Sequence, residues 1–223
     1  MAPNQNQPGL AQDLLRIHRV LTRALKVIVD RGEEFVQAGF PDAGMRKGFT
    51  DYTHSLAVVL DGHHVGEDEI AFPLLKEKIP AAPYDRLAKN HQEIVVLLDS
   101  LQPAIAAVAV DGDESALTRL VDAVCQIYDI WRPHIQTEEH YFNPEALAEV
   151  MDPEEQGRAS AGMAKHAQEH ANPPFLAIPF VLYNLEPEDR AVMAAGMPPE
   201  LVNELVPHAW KDQWAAMKPF LLE

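Results

Sequence analysis

Two histidines in this chain are each followed four residues later by a glutamate, His63-x-x-x-Glu67 and His134-x-x-x-Glu138. Residues four apart on a helix lie about 40° from each other, so each pair turns an imidazole and a carboxylate to one face. The apolar seams around them say which face. One reads Tyr52, Leu56, Val59, His63, Glu67, Ile70, Leu74, and the other Leu120, Val124, Ile127, Trp131, His134, Glu138, Tyr141. Two more seams carry one histidine each: Leu14, His18, Leu21, Leu25, Ile28, and Leu87, His91, Ile94, Leu98, Leu101, Ile105. Steps of three and four mark the stripe that a bundle helix buries. A single core histidine is ordinarily just a satisfied core group. Here every seam has one, and two carboxylates lie among them, although burying an unpaired carboxylate is very costly. A bound cation is the common explanation for His18, His63, Glu67, His91, His134 and Glu138.

Four long helical segments must position these six: about 10–38, 42–78, 84–110 and 114–142, divided by Pro, Gly and Asp punctuation. No segment shows sustained strand alternation. Long helices with short connections predict an all-α fold, an antiparallel up-down-up-down four-helix bundle. In such a bundle the histidines share a level. His18 and His91 lie near the starts of their helices, and His63 and His134 near the ends of theirs. At 1.5 Å per residue each is roughly 10–15 Å from the same end. His18 and His63 are 45 residues apart, and His91 and His134 are 43 apart. Two similar hairpins would make an approximately two-fold site suited to two metals with bridging carboxylates. Imidazoles with bridging carboxylates favour a non-haem iron pair, with manganese or zinc as alternatives. The thiolates common in structural zinc sites are missing.

After Asp152 the texture changes to shorter, proline-rich segments at about 153–171, 174–185, 187–195 and 199–221. The expected organisation is a bundle over 9–151 and a helical C-terminal extension over 152–223, packed on the bundle or serving as a homodimerisation element. The net charge of −16 argues against nucleic acid and anionic membranes as partners. The longest apolar runs fall short of the roughly 20 residues a membrane span needs. The N-terminus shows no signal peptide, and one cysteine, Cys125, excludes an intrachain disulfide framework. A soluble, cytoplasmic protein is expected.

The ordered pattern of His18, "HHVGEDEIAFP" from His63, "KNHQEIVVLLDSL" around His91 and "HIQTEEHYFNP" from His134 resembles the hemerythrin-like, HHE cation-binding family over about residues 10–150. The resemblance implies a four-helix bundle with two non-haem irons bridged by carboxylates. By position, His18, His63 and Glu67 would be ligands from one hairpin, and His91, His134 and Glu138 from the other. The family's oxygen carriers have a last motif HxxxHxxxxD and five histidines. The matching positions here are His134, Glu138 and Asn143, which puts stable O2 carriage in doubt. The resemblance therefore implies binding or sensing of O2, NO or iron. An enzyme reducing peroxide or NO is the alternative, and a structural zinc protein the third reading.

Other polar residues read as less informative. His64 sits beside the seam as a flank histidine or an extra ligand. Asp68, Glu69 and Glu139 read as solvated charges, and His54 and His140 as surface residues. His166 and His170, four apart, could chelate a metal but have no companion pair. Trp131 is expected to wall the pocket, and Tyr52 to be core packing.

Overall fold

Helix boundaries in this chain follow from local chemistry. In the computed structural model, which describes residues 9–222, the order is α1 Leu10–Ala38, α2 Ala43–Gly66, a π-helical turn Glu67–Ala71, α3 Phe72–Lys78, α4 Tyr84–Asp111, α5 Glu114–Tyr141, α6 Pro144–Val150, α7 Pro153–His170, α8 Pro174–Tyr183 and α9 Pro187–Ala195. A π-helical segment Leu201–Ala209, α10 Lys211–Trp214 and a 3-10 helix Ala215–Phe220 complete the chain. No strand occurs among the described residues. The side chains of Asp42 and Asp113 cap α2 and α5 by accepting from the amides of Met45 and Ala116 at 2.7 and 3.0 Å. Asp152 and Glu155 form a capping box at the start of α7. Gly112 closes α4 in the left-handed conformation, φ 66°.

The all-α class expected from the sequence is the class observed. α1 packs against α2 and α5, and α4 packs against the same two helices. By length and composition alone α4 could cross a membrane, contrary to the sequence expectation. Its apolar face instead packs in the bundle and carries His91 into the interior.

The second helical segment differs from a regular α-helix at one point. Over Glu67–Ala71 it widens into a π turn, and the Phe72 amide bonds the Glu67 carbonyl five residues back. The extra residue slips the phase of everything beyond it. The expected inward residues Ile70 and Leu74 are only half-buried, and Ala71, Phe72 and Leu75 take the interior positions.

α6 fills a stretch to which sequence reasoning assigned no helix. Asn143 is its cap, with a side-chain oxygen 2.9 Å from the Ala146 amide, and Pro144 is its first residue.

The tail shares the bundle's core. Phe180, Leu182, Trp214, Met217 and Phe220 belong to the same apolar cluster as Leu25, Phe49, Tyr52 and Leu56. The Arg23 guanidinium donates to the Phe220 carbonyl at 2.8 Å and also to the Asn184 side chain, which accepts from the Tyr52 hydroxyl at 2.6 Å. The 3-10 helix comes so close to α2 that a Cβ on Gly48 would lie 1.9 Å from the Ala216 carbonyl oxygen. A second apolar cluster, with Leu14, Phe72, Leu75, Tyr84, Leu87, Phe142 and Leu147, fills the other end of the bundle. The polar layer lies between the two.

Candidate metal centre

α1, α2, α4 and α5 bring the six sequence-predicted residues together. His18, Glu67, His91, His134 and Glu138 are each no more than 2% exposed, and His63 is 6% exposed. They gather with one further residue, His64, into two groups. His18, His63, Glu67 and Glu138 form one, and His64, Glu67, His91 and His134 form the other, with the ligand atoms of each group all within 4.8 Å of one another. Glu67 belongs to both.

Each group keeps the two seam histidines of one hairpin and adds a donor from the other, Glu138 in the first and His64 with Glu67 in the second. Each glutamate faces the histidine one turn earlier on its own helix and the histidine of the other hairpin's first helix. Glu67 has one oxygen 3.3 Å from His63 Nε2 and the other 3.5 Å from His91 Nε2. Glu138 has one oxygen 3.2 Å from His134 Nε2 and the other 3.2 Å from His18 Nε2. The two-fold relation of the sequence repeat is kept, but the hairpins exchange partners.

His64 is the residue sequence reasoning set aside. It is 1% exposed, and its ring stacks on His91 with centroids 4.1 Å apart. Its counterpart in the repeat is Ile135, so it breaks the symmetry and supplies a fifth imidazole. Asp68 and Glu139, read as solvated charges, also have a place. Asp68 Oδ1 lies 3.0 Å from His91 Nδ1, and Glu139 Oε1 lies 3.1 Å from His18 Nδ1. A carboxylate on Nδ1 fixes the tautomer and leaves Nε2 with a free lone pair facing the cluster. Each such acid directly follows one of the central glutamates in sequence. Glu69 is exposed, as expected.

Aromatic rings close the layer. Trp131 packs against His18, His63, His64 and His134 at centroid distances of 5.5–5.9 Å, and its indole N–H donates to Thr22 Oγ1 at 2.8 Å. Phe72 stacks on His91 from the opposite end at 5.5 Å.

A cation fits these donors for two reasons. First, many of their buried polar atoms make no hydrogen bond: His18 Nε2, His63 Nε2, both ring nitrogens of His64, Glu67 Oε2 and both Glu138 oxygens. Buried polar atoms are ordinarily satisfied, and a convergence of imidazole nitrogens and carboxylate oxygens is what a metal needs. Second, the ionisation pattern suits ligation. Burial, with the neighbouring histidines, holds His63 and His64 well below the usual imidazole pKa, and the same two causes lower His91. These imidazoles stay neutral. Burial pushes Glu67 well above the carboxylate range, and Glu138 adds to it. Burial would raise Glu138 too, but His134 and His18 outweigh it and hold Glu138 low. Burial opposes the charged form of His18, yet its contacts with Glu138 and Glu139 leave its pKa raised. Two carboxyl groups sharing a buried site resist joint ionisation, and a cation removes that conflict.

The remaining candidates lie elsewhere. His166 and His170 stack on each other at 4.0 Å, and His170 Nδ1 donates to the His166 carbonyl at 2.9 Å; neither joins a metal-holding group among the described residues. His140 is exposed and His54 half-buried. Asn143, at the position of the oxygen carriers' aspartate, is occupied as the α6 cap.

A helical bundle with a buried layer of five histidines and two glutamates defines a cation-binding protein. The chain matches the family model described as hemerythrin HHE cation binding domain over residues 10–146, more than half its length, and it belongs to that family. No curated protein and no solved structure matches it.

Proposed function

We propose that the protein holds a pair of iron ions in the buried layer and uses them to bind or sense O2, NO or iron itself. The observation that carries this reading is that two buried four-donor groups share Glu67. A carboxylate with one oxygen towards each group is a natural bridge between two cations. His18, His63 and Glu138 would hold one ion, His64, His91 and His134 the other, and Glu67 both. Imidazole and carboxylate donors suit iron, with manganese or zinc as chemical neighbours.

A bound pair supplies redox chemistry and coordination positions for a small ligand. The chain's own residues do the rest. Asp68 and Glu139 orient His91 and His18, and Trp131 and Phe72 keep water from the two ends of the layer. The acidic chain attracts cations and repels nucleic acid, so on this reading the partner is a small diatomic molecule in a reducing, cytoplasmic compartment.

The test is to load the full-length protein with ferrous iron anaerobically and add measured amounts of O2 or NO. A saturable optical change at one equivalent per metal pair is expected. No spectral response to either gas would overturn the gas-binding reading and leave iron itself as the ligand. Failure to take up ferrous iron would overturn the proposal, and continued consumption of NO or peroxide would make the protein an enzyme instead.

A further inference from the structure

A cavity of about 720 Å³ lies between the bundle and the tail, walled by α1, α2, α7, α8 and α9. Sequence reasoning gave no sign of it. Its volume falls within the range of sites that enclose small organic molecules. We propose that this cavity binds an uncharged, hydrocarbon-rich small molecule and seats it against His63.

The lining sets the ligand's chemistry. Leu14, Ile17, Val59, Ile178, Val181 and Val192 present hydrocarbon to the space. The one charged side chain among the acidic and basic lining residues is Asp13, and it is already engaged. It accepts from Arg16 at 2.8 Å and from the Ser160 hydroxyl. The wall thus offers no free cation to an anionic headgroup, and it buries no unmatched anion that would call for a cationic one. Charge complementarity leaves a neutral occupant.

The shape of the wall fits the same conclusion. α7 lays Gly157, Ala161 and Ala164 along the cavity, and larger side chains there would fill it. Three methionines, Met163, Met193 and Met197, line the space, and thioether side chains adapt to ligands of varied outline. α9 has no fully buried residue, but Met193 and Ala194 pack partly against the core, and Val192 and Met193 border the cavity. A hydrocarbon ligand would extend the cover of that face.

His63 is where the cavity meets the polar layer. It lines the cavity while its Nε2 faces Glu67. Val59, one turn earlier, is half-buried and also lines the cavity. An occupant would therefore touch the outer side of a residue that belongs to the cluster.

The proposal is tested by titrating the full-length protein, with and without metal, with the neutral fluorophore Nile red, followed by displacement with 1-decanol, decanoate or decylammonium. One saturable site per chain with blue-shifted emission is expected in both metal states, so failure of the iron reading would leave this result intact. Decanol should displace the dye, and either charged analogue should be weaker by about tenfold or more, the least that burying an unmatched charge costs. Ala164→Trp should fill the cavity and abolish binding. Because that variant could misfold, Val192→Asp provides a second arm on a helix that buries no residue, and it should weaken binding by about tenfold. Absence of saturable binding would overturn the proposal. So would decanoate or decylammonium binding as tightly as decanol, or Val192→Asp binding like the parent. A concentration-dependent dimer that is lost in Val192→Asp and excludes the dye would overturn it in favour of a second copy of the chain.

Discussion

At the scale of residues, the site is built in two shells by adjacent acids. Glu67 and Glu138 turn inward, and the residues that follow them, Asp68 and Glu139, reach across to the Nδ1 atoms of His91 and His18. Their side chains are 41% and 39% exposed, so removing their charge should not unfold the chain. Asp68→Asn and Glu139→Gln are therefore expected to keep the helical circular dichroism of the parent and to weaken metal binding by roughly 10–100-fold, the usual effect of losing a carboxylate behind a metal-ligating histidine. Competition with a chelator measures it, and unchanged affinity in both would mean that these contacts do no orienting.

The six central residues were legible because they interrupt apolar seams at helical spacing, which one sequence displays directly. His64 was not, because one residue past His63 on a regular helix lies about 100° away and reads as a flank. It becomes interior because α2 is buried on more than one side here, with Gly62, His63, His64 and Gly66 all buried. The acids at 68 and 139 look like surface charge in sequence, and only the packed partner helix reveals what they reach.

At the scale of elements, boundaries were legible where caps and prolines mark them. α1 begins and ends as expected, and α4 and α5 differ by one residue at their ends. The π turn was not legible, since an extra residue in a turn leaves no compositional signal, and the cost was a wrong inward face at Ile70 and Leu74. α6 was overlooked because Asn143-Pro144 was read as a stop, although Asn before Pro is equally a helix start.

One close approach between elements carries a prediction. Ala216 sits over Gly48 with no room for a Cβ, so Gly48→Ala must push the 3-10 helix outward. A loss of about 1–3 kcal/mol is expected, the usual range for overpacking, seen as a lower denaturation midpoint. Gly48 is fifteen residues from His63, about 22 Å along the helix axis, so metal content should not change. Equal stability would show that the tail is not seated as described.

At the scale of the whole molecule, Asp152 marks a change of texture but not a break in the core. Apolar side chains from both sides of it fill one cluster, and the bundle and tail together wall the cavity beside His63. Composition could show that the tail was helical but not where it sat, because its contacts with α1 and α2 join residues more than a hundred positions apart, as in Arg23 with Phe220. The His/Glu layer lies between two apolar clusters, with Trp131 and Phe72 packed on its histidine rings.

The central claim is that this layer holds two cations, and the direct measurement is metal content per chain after anaerobic reconstitution with ferrous iron and removal of free metal. The account predicts two irons in the parent protein and a clear loss in Glu67→Ala, which removes the donor shared by both groups. One iron or none in the parent, or two irons undiminished in Glu67→Ala, would contradict it.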